Sequence, residues 1–228
     1  MRQIESLYQL EKFGRTRLSQ HFFMRDFLHS EVSDFYRVGN IPDNPDLAIK
    51  SGRHLCTELL DPLVNTFGPI HVRSAYRSAR VNAEGNTRGH NCANNEANFG
   101  VHVWDHKDKA GNIGATACIV VPWFSDQYDK GRDWRDLAFW LDDHLEHSGV
   151  CFYPKLAAFN LSWSEAPKPR IFSYIAPRGT LRHFEYPEKF ETCSANKDVI
   201  IAQPSQKSRY SDFPKFCGIC FPSAPKDW

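Results

Sequence analysis

A chain of 228 residues with 41% apolar and 14% aromatic residues has the material for one globular domain with an appendage, and is not a disordered composition. Its 28 basic and 27 acidic residues leave a formal net charge of +1, which gives no electrostatic reason to expect nucleic acid or an anionic membrane as partner. No run approaches the roughly 18 apolar residues of a membrane span, and the opening MRQIESLYQLEKFGRTRLS has no apolar core of signal-peptide length, so the expectation is a soluble product, cytoplasmic when made.

The pattern at the N-terminus places Ile4, Leu7, Tyr8 and Phe13 at near-helical spacing, which predicts a short amphipathic helical arm over residues 1–17. Residues 18–30 (LSQHFFMRDFLHS) are rich in aromatics, with Ser19 as a candidate helix cap. Residues 39–45 (GNIPDNP) are a loop by their turn residues. From 46 to 67 the pattern is helical. Leu55, Leu59, Leu63 and Phe67 lie four apart, Cys56, Leu60 and Val64 fill the adjacent stripe, Pro62 predicts a kink or split, and Gly68-Pro69 ends the run. Ile70 and Val72 alternate with polar residues as in a half-buried strand.

Residues 83–114 form a long Asn- and Gly-rich polar segment, a length of loop that is usually functional inside a domain. Residues 115–124 (ATACIVVPWF) read as a buried strand ended by Pro122. Asp133 opens a second helix with Leu137, Trp140, Leu141, His144 and Leu145 on its apolar stripe and Gly149 as its end. Residues 150–153, 156–163 and 170–176 read as strands. The plan is α+β, with a mainly antiparallel sheet packed by helices over residues 18–183, followed by an extended Pro- and Phe-rich tail over 184–228 that wraps the domain or docks on a protein partner. Seven cysteines, at 56, 92, 118, 151, 193, 217 and 220, are odd in number and scattered, which predicts reduced thiols. Cys217 and Cys220 form a lone CxxC, read as buried thiols.

Several short motifs then occur in a fixed order: Leu18-Ser19-Gln20-His21-Phe22 with Asp26-Phe27 and Ser30; Gly39, Ile41, Asn44 and Pro45; Leu60-Asp61-Pro62-Leu63; and Ser74-Ala75-Tyr76-Arg77-Ser78 followed by Asn82. Over these 65 or so residues the chain resembles zinc D,D-peptidases of the D-Ala-D-Ala carboxypeptidase type, especially the short phage and bacterial members. The resemblance implies the D-Ala-D-Ala carboxypeptidase/Hedgehog-like fold, zinc as cofactor, and peptidoglycan peptide as partner. It gives Arg77 the role of gripping a substrate carboxylate or holding the active-site geometry, for which a guanidinium is suited.

In that family zinc is held by His, Asp and His, leaving one site open for water. Here the Asp position falls on Cys118, the first His position on Gly111 unless His106 replaces it, and the last His position on Asn160. The polar segment offers a replacement set: His102, Asp105 and His106 with Cys118 as metal ligands, and Glu96 as general base. Tyr76, Asn82, Asn160 and Trp163 are the expected cleft residues. Three readings follow: a divergent peptidase-like domain without the standard zinc site, acting as a binding or structural protein of the cell wall or a phage virion; a metal-dependent hydrolase with relocated ligands; or other chemistry in the same cleft. In the third reading Cys118 or the Asn-rich loop lies at the centre.

Overall fold

Residues 3–182, 199–201 and 206–216 are described by the computed structural model of this chain. The first helix, α1 (Leu7–Gly14), starts at a capping box in which Ser6 accepts from Gln9 N–H and the Gln9 side chain returns to the Ser6 backbone. The aromatic segment after it makes only one 3₁₀ turn, Met24–Phe27. Ser19 caps no helix: its hydroxyl donates to Asp61 at 2.8 Å, and Gln20 N–H donates to the same buried carboxylate at 3.1 Å. The segment is therefore fastened to the long helix by polar contacts 41 and 42 residues away, which local periodicity does not reveal.

A short helix, α2 (Glu31–Tyr36), leads into the loop before that long helix. Asn44 caps α3 (Pro45–His54) by accepting Leu47 N–H at 3.1 Å, and Pro45 takes the first helical position, where its missing N–H is no loss. α3 passes through a π-helical turn (Leu55–Leu60) into α4 (Asp61–Phe67). The π turn is how the run carries Pro62. A proline ring crowds the carbonyl one turn back and offers no N–H, and the wider turn, closed by Asp61 N–H on the Cys56 carbonyl, makes room. Leu55, Leu59, Leu60 and Leu63 are fully buried along it, and Gly68, at φ +82°, turns the chain out.

The remaining elements are β1 (His71–Ser74), α5 (Ala79–Thr87), α6 (Asn95–Asn98), β2 (Gly114–Val120), α7 (Pro122–Tyr128), α8 (Trp134–His144), β3 (Gly149–Phe152), β4 (Phe159–Ser164), β5 (Ile171–Ser173), β6 (Gly179–Arg182) and β7 (Val199–Ile201). Gly149 starts β3 and does not end α8, whose last turn stops at His144. The strands form one sheet in the order β1-β2-β4-β3-β5-β6-β7. Its β3/β5 and β6/β7 pairs are parallel and the rest antiparallel, so the sheet is mixed. α+β is the class. β6 and β7 lie beyond the point where the sequence periodicity fades.

One face of the sheet carries the main core. Ala115, Ala117, Ile119, Val150, Phe152, Phe159, Leu161 and Ile171 join the leucines of the long helix there. Trp163 belongs to this face: its indole N–H donates to Glu58 at 2.6 Å and its ring stacks on His54. The other face carries a small cluster of Cys118, Val120 and Ala158 with Tyr153.

Residues 206–216 lie on the outer side of α7 and α8. Phe213 meets Phe67, Trp123 and Phe124, and Phe216 meets Trp140 and His144. Arg132 clasps both carboxylate oxygens of Asp212 at 2.6 and 2.7 Å and the Arg209 carbonyl at 2.9 Å, while Arg209 pairs with Asp133 and Asp136. Cys193, Cys217 and Cys220 fall outside the described residues, as does most of the expected tail.

Candidate functional site

Strand register builds a row of side chains across the second face. Ser74 pairs with Cys118, Cys118 with Asn160, Asn160 with Cys151, and Cys151 with Phe172. On a strand, alternate residues share a face, so Thr116 and Ser162 stand on the same side, their hydroxyls 2.7 Å apart. Asn160 is the middle of the row.

His102 comes down onto Asn160 from the Asn-rich segment. It is buried, and its Nδ1 is 2.9 Å from the Ala75 carbonyl, which can only accept. Nδ1 therefore carries the hydrogen, and Nε2 is left with its lone pair. That nitrogen faces the Asn160 amide, Nδ2, at 3.4 Å, and the same amide donates to the Tyr153 hydroxyl at 3.2 Å. Burial first, and then the charge of Arg77, lower the His102 pKa to about 3, so the ring is neutral at physiological pH.

The thiols of the row are protonated. Burial raises Cys118 to about 11 against the opposing pull of Arg73, and burial raises Cys151 as well. Arg77 gives its backbone N–H to the His102 carbonyl at 2.9 Å and points Nη1 at Cys92 Sγ, 2.6 Å away. Among the described residues, no carboxylate lies within ion-pair distance of Arg77.

The expected metal set divides between two places. His102 and Cys118 belong to the sheet row, whereas Asp105 and His106 converge with Asp43 at the base of the loop preceding α3. Glu96 sits on the surface of α6, paired with Lys109 at 3.2 Å, and meets neither group. Of the expected cleft residues, Asn160 is in the row. Tyr76 is fully buried against Trp104. Trp163 is on the opposite face. Asn82 is an internal clip: its amide donates to the Ala93 carbonyl and Asn95, and its carbonyl accepts from Asn98. The Asn-rich segment owes its order to such clips and to Trp104, fully buried with its indole N–H on the Thr116 carbonyl.

The positions that the resemblance assigns to the metal do not make up a zinc set: Asn160 offers a carboxamide where an imidazole is needed, and Gly111 offers no side chain. His102, of the replacement set, stands beside Asn160 with Nε2 facing its amide. Tyr153, Cys151 and Asp43 were not among the sequence candidates. Cys151 and Tyr153 stand two apart at a strand end, a spacing that puts both on one face, but nothing local marks that face as the open one. No family model, curated protein or solved structure matches the chain.

Proposed function

We propose that the chain is a divergent D,D-peptidase-like module that binds a peptide ending in a carboxylate, of the D-Ala-D-Ala kind found in peptidoglycan, and does not cleave it. The observation that carries the reading is the Asn160 amide facing His102 Nε2, the nitrogen a catalytic metal would need. Arg77 supports it from the other side, as a guanidinium beside the row that has no carboxylate partner among the described residues and is shaped for a bidentate grip. Such a module would act in cell-wall recognition or as a virion component.

The test is a titration of the full chain with a D-Ala-D-Ala-terminated peptide, followed by amide NMR, with free D-Ala assayed in parallel. Binding without release of D-Ala is expected, and Arg77→Ala should weaken it at least tenfold, the worth of a charge-assisted hydrogen bond. Equal binding of a C-terminally amidated peptide would refute carboxylate recognition. Metal-dependent release of D-Ala would establish the competing hydrolase reading, which draws on relocated ligands such as His102, Asp105 and His106.

A further inference from the structure

Asp105 is buried, with its side chain wholly out of solvent, and its two oxygens have different fates. Oδ2 accepts the backbone N–H groups of Asp43 at 2.8 Å and Asn44 at 3.3 Å, which ties the loop before α3 to the Asn-rich segment. Oδ1 accepts no hydrogen bond. It faces His106 Nδ1 at 3.4 Å, and that nitrogen, also buried, likewise makes none. The imidazole cannot swing freely, since it lies flat on Phe99 with ring centres 4.5 Å apart. Asp43 closes the group: its Oδ2 is 3.9 Å from His106 Nε2, and its side chain reaches in from solvent. One ligand atom from each of the three residues lies within 4.8 Å of the others.

This arrangement leaves a buried carboxylate oxygen aimed at an imidazole, beside a second carboxylate. A buried anion needs a counter-charge or hydrogen-bond donors. The Tyr76 hydroxyl, buried and without a hydrogen-bond partner of its own, is a further polar group close to Asp105. We infer that Asp43, Asp105 and His106 form a binding site for a first-row divalent cation that joins the loop at 39–45 to the segment at 99–108. One imidazole with two carboxylates favours zinc, cobalt or manganese over magnesium and calcium, which prefer all-oxygen sites. The site is separate from the His102–Asn160 row and does not depend on how that row is used.

Cobalt(II) is the probe, because its spectrum reports the ligands. Chelator-treated full-length chain is titrated with Co²⁺ while visible absorption and thermal unfolding are followed. One equivalent should bind with ligand-field bands and no thiolate-to-cobalt charge transfer, and Tm should rise by about 5–10 °C at a hundredfold excess over Kd. Asp43→Asn and His106→Ala should each abolish both signals. Asp43 is exposed, so its variant folds and keeps the test decisive if His106→Ala does not. Absence of a one-equivalent site in the parent chain, a thiolate band, or binding that survives Asp43→Asn would overturn the inference.

Discussion

Asn40 makes most of the polar contacts between the loop at 39–45 and the strand end at 74–78, where Ser78 Oγ adds a longer one to the Gly39 carbonyl, and removing Asn40 should be costly. Asn40 donates twice from Nδ2, to the Leu28 and Tyr76 carbonyls, both at 3.0 Å, and accepts Ser78 N–H at 2.7 Å. Asn40→Ala deletes three hydrogen bonds and leaves three backbone groups without them in a half-buried setting. At about 1 kcal/mol net for each, the loss is about 3 kcal/mol. For a chain of this size that corresponds to a fall in Tm of about 6–12 °C. Urea unfolding of the parent and variant is the assay. The midpoint should drop with the slope unchanged, since the denatured surface is the same. A loss below about 1 kcal/mol would refute the reasoning, because it would mean that water replaces the amide at all three groups. Asn40→Asp separates donor from acceptor: it keeps the Ser78 contact but sets an anion against two carbonyls, so it should destabilise at least as much as alanine.

Acid should destabilise the chain through His102, whose folded pKa of about 3 lies below its ordinary value of 6.5. Above 6.5 both states are neutral and the residue contributes nothing to the pH dependence; below it only the unfolded chain takes up the proton, at a cost of about 2 kcal/mol by pH 5. Urea midpoints at pH 7.5 and 5 should differ accordingly and converge in His102→Gln; an unchanged difference in the variant would exclude His102 as the cause. Arg132→Ala removes the clasp on Asp212 and the Arg209 carbonyl, and tryptic cleavage after Lys207 or Arg209 should accelerate about tenfold, as for the loss of a charge-assisted hydrogen bond. Unchanged cleavage would show that the Arg209 pairs with Asp133 and Asp136 and the rings of Phe213 and Phe216 hold the segment without the clasp. Gly114→Ala would drive a methyl group into the Gly100 carbonyl oxygen and bring it to 3.0 Å from that of Trp163, both backbone atoms that yield little. A loss of about 3 kcal/mol is expected in thermal unfolding, and a near-neutral result would rule out this close approach.

The elements that could be read from sequence are those whose signal is local. The leucines of the long helix repeat every turn, Asp133 stands where a cap must stand, and the run at 115–121 is apolar at every position but Thr116 because β2 is buried throughout. What could not be read depends on distant partners. Ser19 looks like a cap and is instead held by Asp61, and Pro62 looks like a break and is absorbed by a π turn. β6 and β7 pair at the edge of the sheet with no alternation long enough to announce them. Proximity in sequence also misled at the site. His102, Asp105 and His106 lie within five positions, yet His102 turns toward the sheet row while Asp105 and His106 turn toward Asp43, a residue about 60 positions earlier.

The chemistry of the row turns on what stands opposite one nitrogen. His102 has committed Nδ1 to the Ala75 carbonyl, so Nε2 is the only lone pair it can offer. An imidazole at position 160 would bring a second lone pair and could share a cation; the carboxamide brings a donor that faces the first lone pair instead. With no metal in the row, hydrolysis there would need another way to activate water. A histidine with a pKa of about 3 is too weak a base to do so at neutral pH, and a thiol held at about 11 is too little ionised to attack. The neutral state of His102 in turn has Arg77 as one of its causes. The same cation that the proposed reading assigns to an anionic ligand thus also opposes a proton on His102, which ties the two residues into one test: Arg77→Ala should raise the His102 pKa as it weakens ligand binding.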